Sequence, residues 1–148
     1  MSAEETWAFL KSGHTGILTT LRRTGEPIAL PVWYVTRGRR IYVAARGKKL
    51  LRLESDARCS FLVEEGEYWS DLRAAHLACK ARILDVADEL VPLVMSEIAA
   101  KYASHRSSVS DPGSRTVQRY DRDRPRVVEL TPVARELTWD NRRLITDT

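Results

Sequence analysis

The 148-residue chain has only two cysteines, two phenylalanines and two methionines. Its longest apolar stretches, Ile28 to Val35 and Leu90 to Met95, fall far short of the roughly 20 residues that a membrane-spanning helix needs. Met1-Ser2-Ala3-Glu4-Glu5 carries neither a basic start nor a following apolar block, so no secretory signal is expected and a cytoplasmic protein is. Cys59 and Cys79 each lie in an apolar, strand-like run, which suits small buried thiols in a reducing compartment better than a disulfide framework. The three histidines, His14, His76 and His105, are far apart and lack a His-x-x-x-His or Cys-x-x-Cys companion, so no metal centre is expected. The chain also lacks a G-x-S-x-G elbow, a Walker A loop and a G-x-G-x-x-G fingerprint. Nothing in the order of Ser60, Asp71 and His76 argues for a nucleophilic triad. Long polar or low-complexity runs are missing too, and with 43% apolar residues the chain is not a disordered tail.

What is present is one domain's worth of chain, long enough to bury roughly 70% of its unfolded surface. The net charge of +4 is modest but unevenly spread. From Arg37 to Arg58 there are eight basic residues against two acids, Glu54 and Asp56, which marks a candidate anion site. A second basic stretch, Arg115 to Arg126, alternates with Asp121 and Asp123 and cancels much of its own field.

Ser2 and Glu5 have the spacing of a capping box, and a short helix with Trp7 and Leu10 on its apolar face should follow, ending at Ser12-Gly13. Thr15 to Leu21 and Ile28 to Thr36 read as a hairpin joined through Thr24-Gly25-Glu26-Pro27; Pro31 must then fall at an edge or a bulge, because proline cannot donate to the ladder. Arg40 to Ala45 is a third strand, Gly47 breaks it, and Lys48 to Asp56 has leucines at helical spacing. Arg58 to Glu64 and Tyr68 to Leu84 read as strands four and five. The latter places Ala75, Leu77, Cys79, Ala81 and Ile83 on one face. Leu90, Val94, Ile98 and Tyr102 recur at helical spacing, with Pro92 tolerated in the first turn. A loop of roughly twenty residues, Ala103 to Pro125, precedes two last strands, Arg126 to Leu130 and Val133 to Trp139. Strands in meander order with few helices predict a small antiparallel barrel rather than a doubly wound parallel sheet.

Two places can carry chemistry. At Ala45-Arg46-Gly47-Lys48-Lys49 a strand ends, a glycine turns and a helix begins among three basic side chains. Cations at a helix start oppose the macrodipole by up to about 1 kcal/mol each, so an anion should offset them. The second place is Pro31-Val32-Trp33-Tyr34 beside Leu18-Thr19-Thr20, where hydroxyls, strand amides and an aromatic wall suit a flat heterocycle. The same aromatic residues equally suit a core or a subunit contact.

In their order and spacing, Thr15 to Leu21, Gly25-Glu26-Pro27, Pro31 to Tyr34, Arg46-Gly47-Lys48-Lys49 with Leu53, and Asp56-Ala57-Arg58 resemble the pyridoxamine 5'-phosphate oxidase-like flavin-binding split barrels. The ending Arg126 to Pro132 with Trp139-Asp140 is similar to actinobacterial flavin or deazaflavin oxidoreductases. The resemblance implies a mainly β, six-stranded antiparallel split barrel with short flanking helices, one domain over residues 1–148, working as a homodimer with flavin sites between subunits. It implies that Leu18, Thr19, Thr20, Pro31, Val32 and Trp33 border the flavin ring and that Arg46, Lys48 and Lys49 hold its phosphate. Trp139 would lie at the edge of the site, from either subunit. The R-x-V-L-L-K-like strand and the further Arg and His that bind vitamin phosphate in true pyridoxamine phosphate oxidases have no counterpart here, so oxidation of vitamin B6 is not expected.

The function implied is hydride transfer between bound FMN, or the deazaflavin coenzyme F-420, and a small organic substrate; the protein's part is to bind, orient and tune the ring, so no catalytic side chain is expected. A non-catalytic flavin carrier or sensor would use the same residues. A nucleic-acid surface is the weaker alternative, because the basic residues gather at one turn instead of along a stripe.

Overall fold

The computed structural model describes residues 1–106, 115 and 124–145. Helix α1, Ala3–Ser12, starts on the expected capping box: Ser2 Oγ accepts the Glu5 N–H at 3.1 Å and the Glu5 carboxylate accepts the Ser2 N–H at 2.5 Å. Strands β1 (Gly16–Leu21), β2 (Pro27–Val32), β3 (Tyr34–Arg37) and β4 (Arg40–Ala45) follow, then helix α2 (Lys48–Ser55) and strand β5 (Arg58–Glu65). Strand β6 (Arg73–Ile83), helix α3 (Leu90–Lys101) and strands β7 (Arg126–Pro132) and β8 (Leu137–Asp140) complete the elements used below. Among the described residues no helix is long and apolar enough to cross a membrane.

All strand pairs are antiparallel, and the sheet runs β2-β1-β5-β6-β7-β4-β3, with β8 also paired to β6. Its two end strands, β2 and β3, are separated in the chain by Trp33 alone. A ladder of seven strands can have its ends one residue apart only by curling round on itself, and the result is a split β-barrel. The strand count is eight, not six. The excess arises because one expected strand is cut at Trp33 and because β6, eleven residues long, shares one edge between β7 at Cys79–Ile83 and β8 at Arg73–His76.

Three boundaries differ from the sequence reading, each for a local reason. Ile28 to Thr36 is two strands, and at the break Tyr102 Oη, not a neighbouring strand, accepts the Tyr34 N–H at 3.0 Å. Residues 69–71 form a 3-10 turn before β6, because the Asp71 carboxylate accepts the Tyr68 N–H at 2.7 Å and bends the chain. Thr131-Pro132 belongs to β7, since β6 continues the ladder as far as the Cys79–Pro132 pair, and β8 begins only at Leu137. Pro31 lies on the edge strand β2, where its missing N–H costs no ladder bond. Most of the 103–125 loop lies outside the described residues.

The barrel interior is one apolar cluster built on Leu18, Tyr34, Ile41, Phe61, Leu77 and Leu130. A second cluster, with Val35, Tyr42, Val94, Ile98, Tyr102 and Val127, lies where α3 covers the outside of β3, β4 and β7. Alternation along β2 and β3 therefore sends Val32 and Tyr34 into the first cluster and Trp33 against the second. Cys59 and Cys79 face each other across β5 and β6 as free thiols, each pushed up to about 12 by burial.

Candidate functional site

At the end of β4 the chain turns through Gly47 at φ 60°, ψ −131°, a left-handed conformation that a side chain would strain, and α2 begins at once. Its N-cap has no side-chain hydrogen bond and its first turn has no acid, only Lys48 and Lys49. Lys49 is partly buried, and burial, reinforced by the nearby Arg52 charge, lowers its pKa. No carboxylate among the described residues forms a salt bridge with either lysine. Two free helix amides and a partly buried ammonium thus meet at one point, and no carboxylate among the described residues forms a salt bridge with that ammonium.

Lys49 borders a cleft of about 430 Å³. One side is basic, with Arg46 and Lys49, and Arg106 stands on the α3 side. The remaining wall is apolar: Pro31, Val32 and Trp33 come from the β2–β3 break, Ala44 from β4, and Met95 and Ile98 from α3. Trp33 is fixed by a parallel stack on Tyr102, with ring centroids 4.3 Å apart and planes 2° from parallel. The guanidinium of Arg106 lies over the Trp33 ring at 5.9 Å. A cleft of this size, mostly apolar with a few converging cations, has the make-up of a site for a planar, anionic small molecule.

Of the ten residues singled out in the sequence, five line this cleft: Pro31, Val32, Trp33, Arg46 and Lys49. The other five stand elsewhere. Leu18 is 1% exposed and fills the barrel core. Thr20 is buried and its hydroxyl accepts the Arg52 Nε–H at 2.9 Å, so it anchors α2 to β1. Thr19 points to the opposite face of β1, in register with Ala29 and Ser60. Lys48 is exposed beside the cleft. Trp139, 47% exposed, sits on β8 opposite Ala74, four strands from β2 across the sheet. At a strand spacing of about 4.8 Å that is roughly 19 Å of sheet, so Trp139 is not part of the cleft in its own chain. Sequence reading missed Ala44, Met95, Ile98, Arg106 and Pro125. Met95 and Ile98 were visible as apolar residues of a helix, but which strand break that helix would cover was not.

The family profile described as pyridoxamine 5'-phosphate oxidase matches residues 2–138. The chain belongs to that family. Among solved structures it is similar to a conserved hypothetical protein of Mycobacterium tuberculosis, at 26% identity and TM-score 0.79 over 100% of this chain and 91% of the other. It also shares the fold of a FAD-binding protein of Mesorhizobium loti (17% identity, TM-score 0.69, covering 93% and 94%). The heme storage protein HutZ of Vibrio cholerae has the same fold at 15% identity and TM-score 0.68, covering 91% and 92%. A comparison with curated proteins gives no match.

Proposed function

We propose that the protein is a flavin-dependent oxidoreductase, with FMN as the cofactor and the deazaflavin coenzyme F-420 as the alternative, acting on a small organic substrate. The observation that carries this reading is the cleft itself: Arg46 and Lys49 converge where α2 begins, next to a wall built on Trp33. Family membership and the FAD-binding neighbour support the same reading. Arg46, Lys49 and the first α2 amides would hold the phosphate, and Pro31, Val32 and Trp33 would cover the ring. A bound flavin would supply hydride transfer, and the protein's part would be to orient the ring and exclude water.

The cofactor is proposed to sit at a homodimer interface. Pro31 lines the cleft and also lies on the outer face of the sheet, in one row with Ile17, Leu62, His76 and Leu137. Apart from His76 that row is apolar, and at its far side Leu137 and Trp139 are 58% and 47% exposed. A second copy seated there would cover the row and bring its Trp139 toward the cleft.

An absorption spectrum of the purified protein and fluorescence titrations with FMN and coenzyme F-420 test the assignment. One of the two should bind tightly, and Arg46→Ala and Lys49→Ala should each weaken it by about tenfold to a hundredfold, the worth of a charge-assisted phosphate contact. Binding of neither, or affinity unchanged in both variants, overturns the reading. Steady turnover with a reductant separates an enzyme from a carrier.

A further inference from the structure

The fold brings together two histidines that are 91 positions apart in the chain, His14 and His105, with ring centroids 4.4 Å apart and planes tilted by 56°. Buried Tyr102 locks both. Its hydroxyl donates to the His14 carbonyl at 2.7 Å, and its own carbonyl accepts the His105 N–H at 3.0 Å. The His14 ring also rests edge-on against the Tyr102 ring at 5.3 Å. Each imidazole meets a neighbouring hydroxyl through Nδ1: His14 with Thr15 Oγ1 at 2.9 Å and His105 with Ser104 Oγ at 3.3 Å. Neither Nε2 has a hydrogen-bond partner among the described residues. A hydrogen bond at one ring nitrogen orients a metal-binding histidine and leaves the other nitrogen as the ligand.

From this geometry we infer a two-histidine site for a borderline divalent transition ion of the Cu²⁺ or Ni²⁺ class, held through Nε2 of His14 and His105 with water completing the shell. With metal–nitrogen bonds of about 2.0–2.1 Å, two rings on one ion have centroids roughly 4.5 Å apart in a cis right-angle arrangement and roughly 5.2 Å apart in a tetrahedral one. The observed 4.4 Å fits the right-angle arrangement of tetragonal copper and nickel. Both imidazoles are exposed, so water has access. Among the described residues no group of three or more His, Cys, Asp or Glu gathers, so the ligands offered here are imidazole nitrogens, which suit copper and nickel better than magnesium or calcium. Two cations stand nearby, Lys101 and Arg106. The Lys101 ammonium lies over the Tyr34 ring at 3.9 Å and donates to the Tyr34 carbonyl, and Arg106 lies over Trp33, so both charges are engaged by other groups.

Untagged protein titrated with Cu²⁺ alone near neutral pH, followed by calorimetry and electron paramagnetic resonance, tests the site without reference to the flavin. One ion per chain with coupling to two imidazole nitrogens is expected. His14→Gln and His105→Gln should each remove the two-nitrogen spectrum and weaken binding by at least about tenfold, roughly 1.4 kcal/mol. Both positions are exposed, and far-UV circular dichroism of the variants checks that the fold is kept. Loss in one variant only means a single-histidine contact and overturns the site, as does binding unchanged in both or no ion bound at equimolar copper.

Discussion

Tyr102 shows how much one buried side chain can organise. Its hydroxyl accepts the Tyr34 N–H at the point where the strand breaks, donates to His14, and its ring backs Trp33 in the cleft. Burial raises its pKa, so the hydroxyl stays a neutral donor over the ordinary pH range. Tyr102→Phe keeps the ring but leaves the Tyr34 amide and the His14 carbonyl without this partner. Unpaired buried groups of this kind cost about 1–3 kcal/mol, and urea unfolding should show a loss of that size. A loss below about 0.5 kcal/mol would mean that water replaces the hydroxyl and that the strand break does not depend on it. The periodicity of Leu90, Val94, Ile98 and Tyr102 made Tyr102 legible as a core residue, but its hydrogen-bond partners lie 68 and 88 positions away and have no local signature.

At the scale of elements, the capping box, the α2 start and the β5–β6 alternation follow from neighbours in the chain and were readable there. Tight approaches between elements were not. Gly16 opens β1 under the Phe61 ring, and a Cβ placed there would come within 2.1 Å of Phe61 Cζ. Phe61 is fully buried in the barrel and edge-on to Tyr34 at 4.8 Å, so it has no room to withdraw. Gly16→Ala should therefore destabilise the protein by about 1–3 kcal/mol through overpacking, measured as a lower thermal midpoint. A neutral or stabilising result would show that β1 can shift against β5. The same reasoning explains the split of Ile28 to Thr36: propensity favours one strand, and the ladder is interrupted where Trp33 packs against α3 and Tyr102 and where Tyr102 takes the Tyr34 N–H.

For the whole molecule, the outer face of β2, β1, β5, β6 and β8 is the surface on which the proposed dimer and the cleft meet. Leu137→Asp puts a charge at the far end of that row without touching the barrel core. By light scattering the unmodified protein should run as a dimer and the variant as a monomer, and flavin affinity should fall with the dimer. A monomeric unmodified protein would separate the cofactor site from any subunit contact. A dimeric variant with full affinity would place the interface on another face.

The sequence by itself determined the element types, the inward faces of the long strands, the basic turn before α2 and, through their spacing, the family. Those properties depend on backbone propensity, side-chain alternation and helix-end electrostatics, all of which act over a few residues. Only the tertiary structure decided which candidate residues share a cleft. Leu18 and Thr20 went to the core because β1 pairs with β5 in a register that turns them inward, and Trp139 was carried four strands away by the pairing of β8 with β6. Curling the sheet until β2 and β3 met at Trp33 brought α3 over the break, adding Met95, Ile98 and Arg106 to the cleft and His105 to His14. Such long-range pairings are set by burial of the whole apolar surface at once, so no local stretch of chain encodes them.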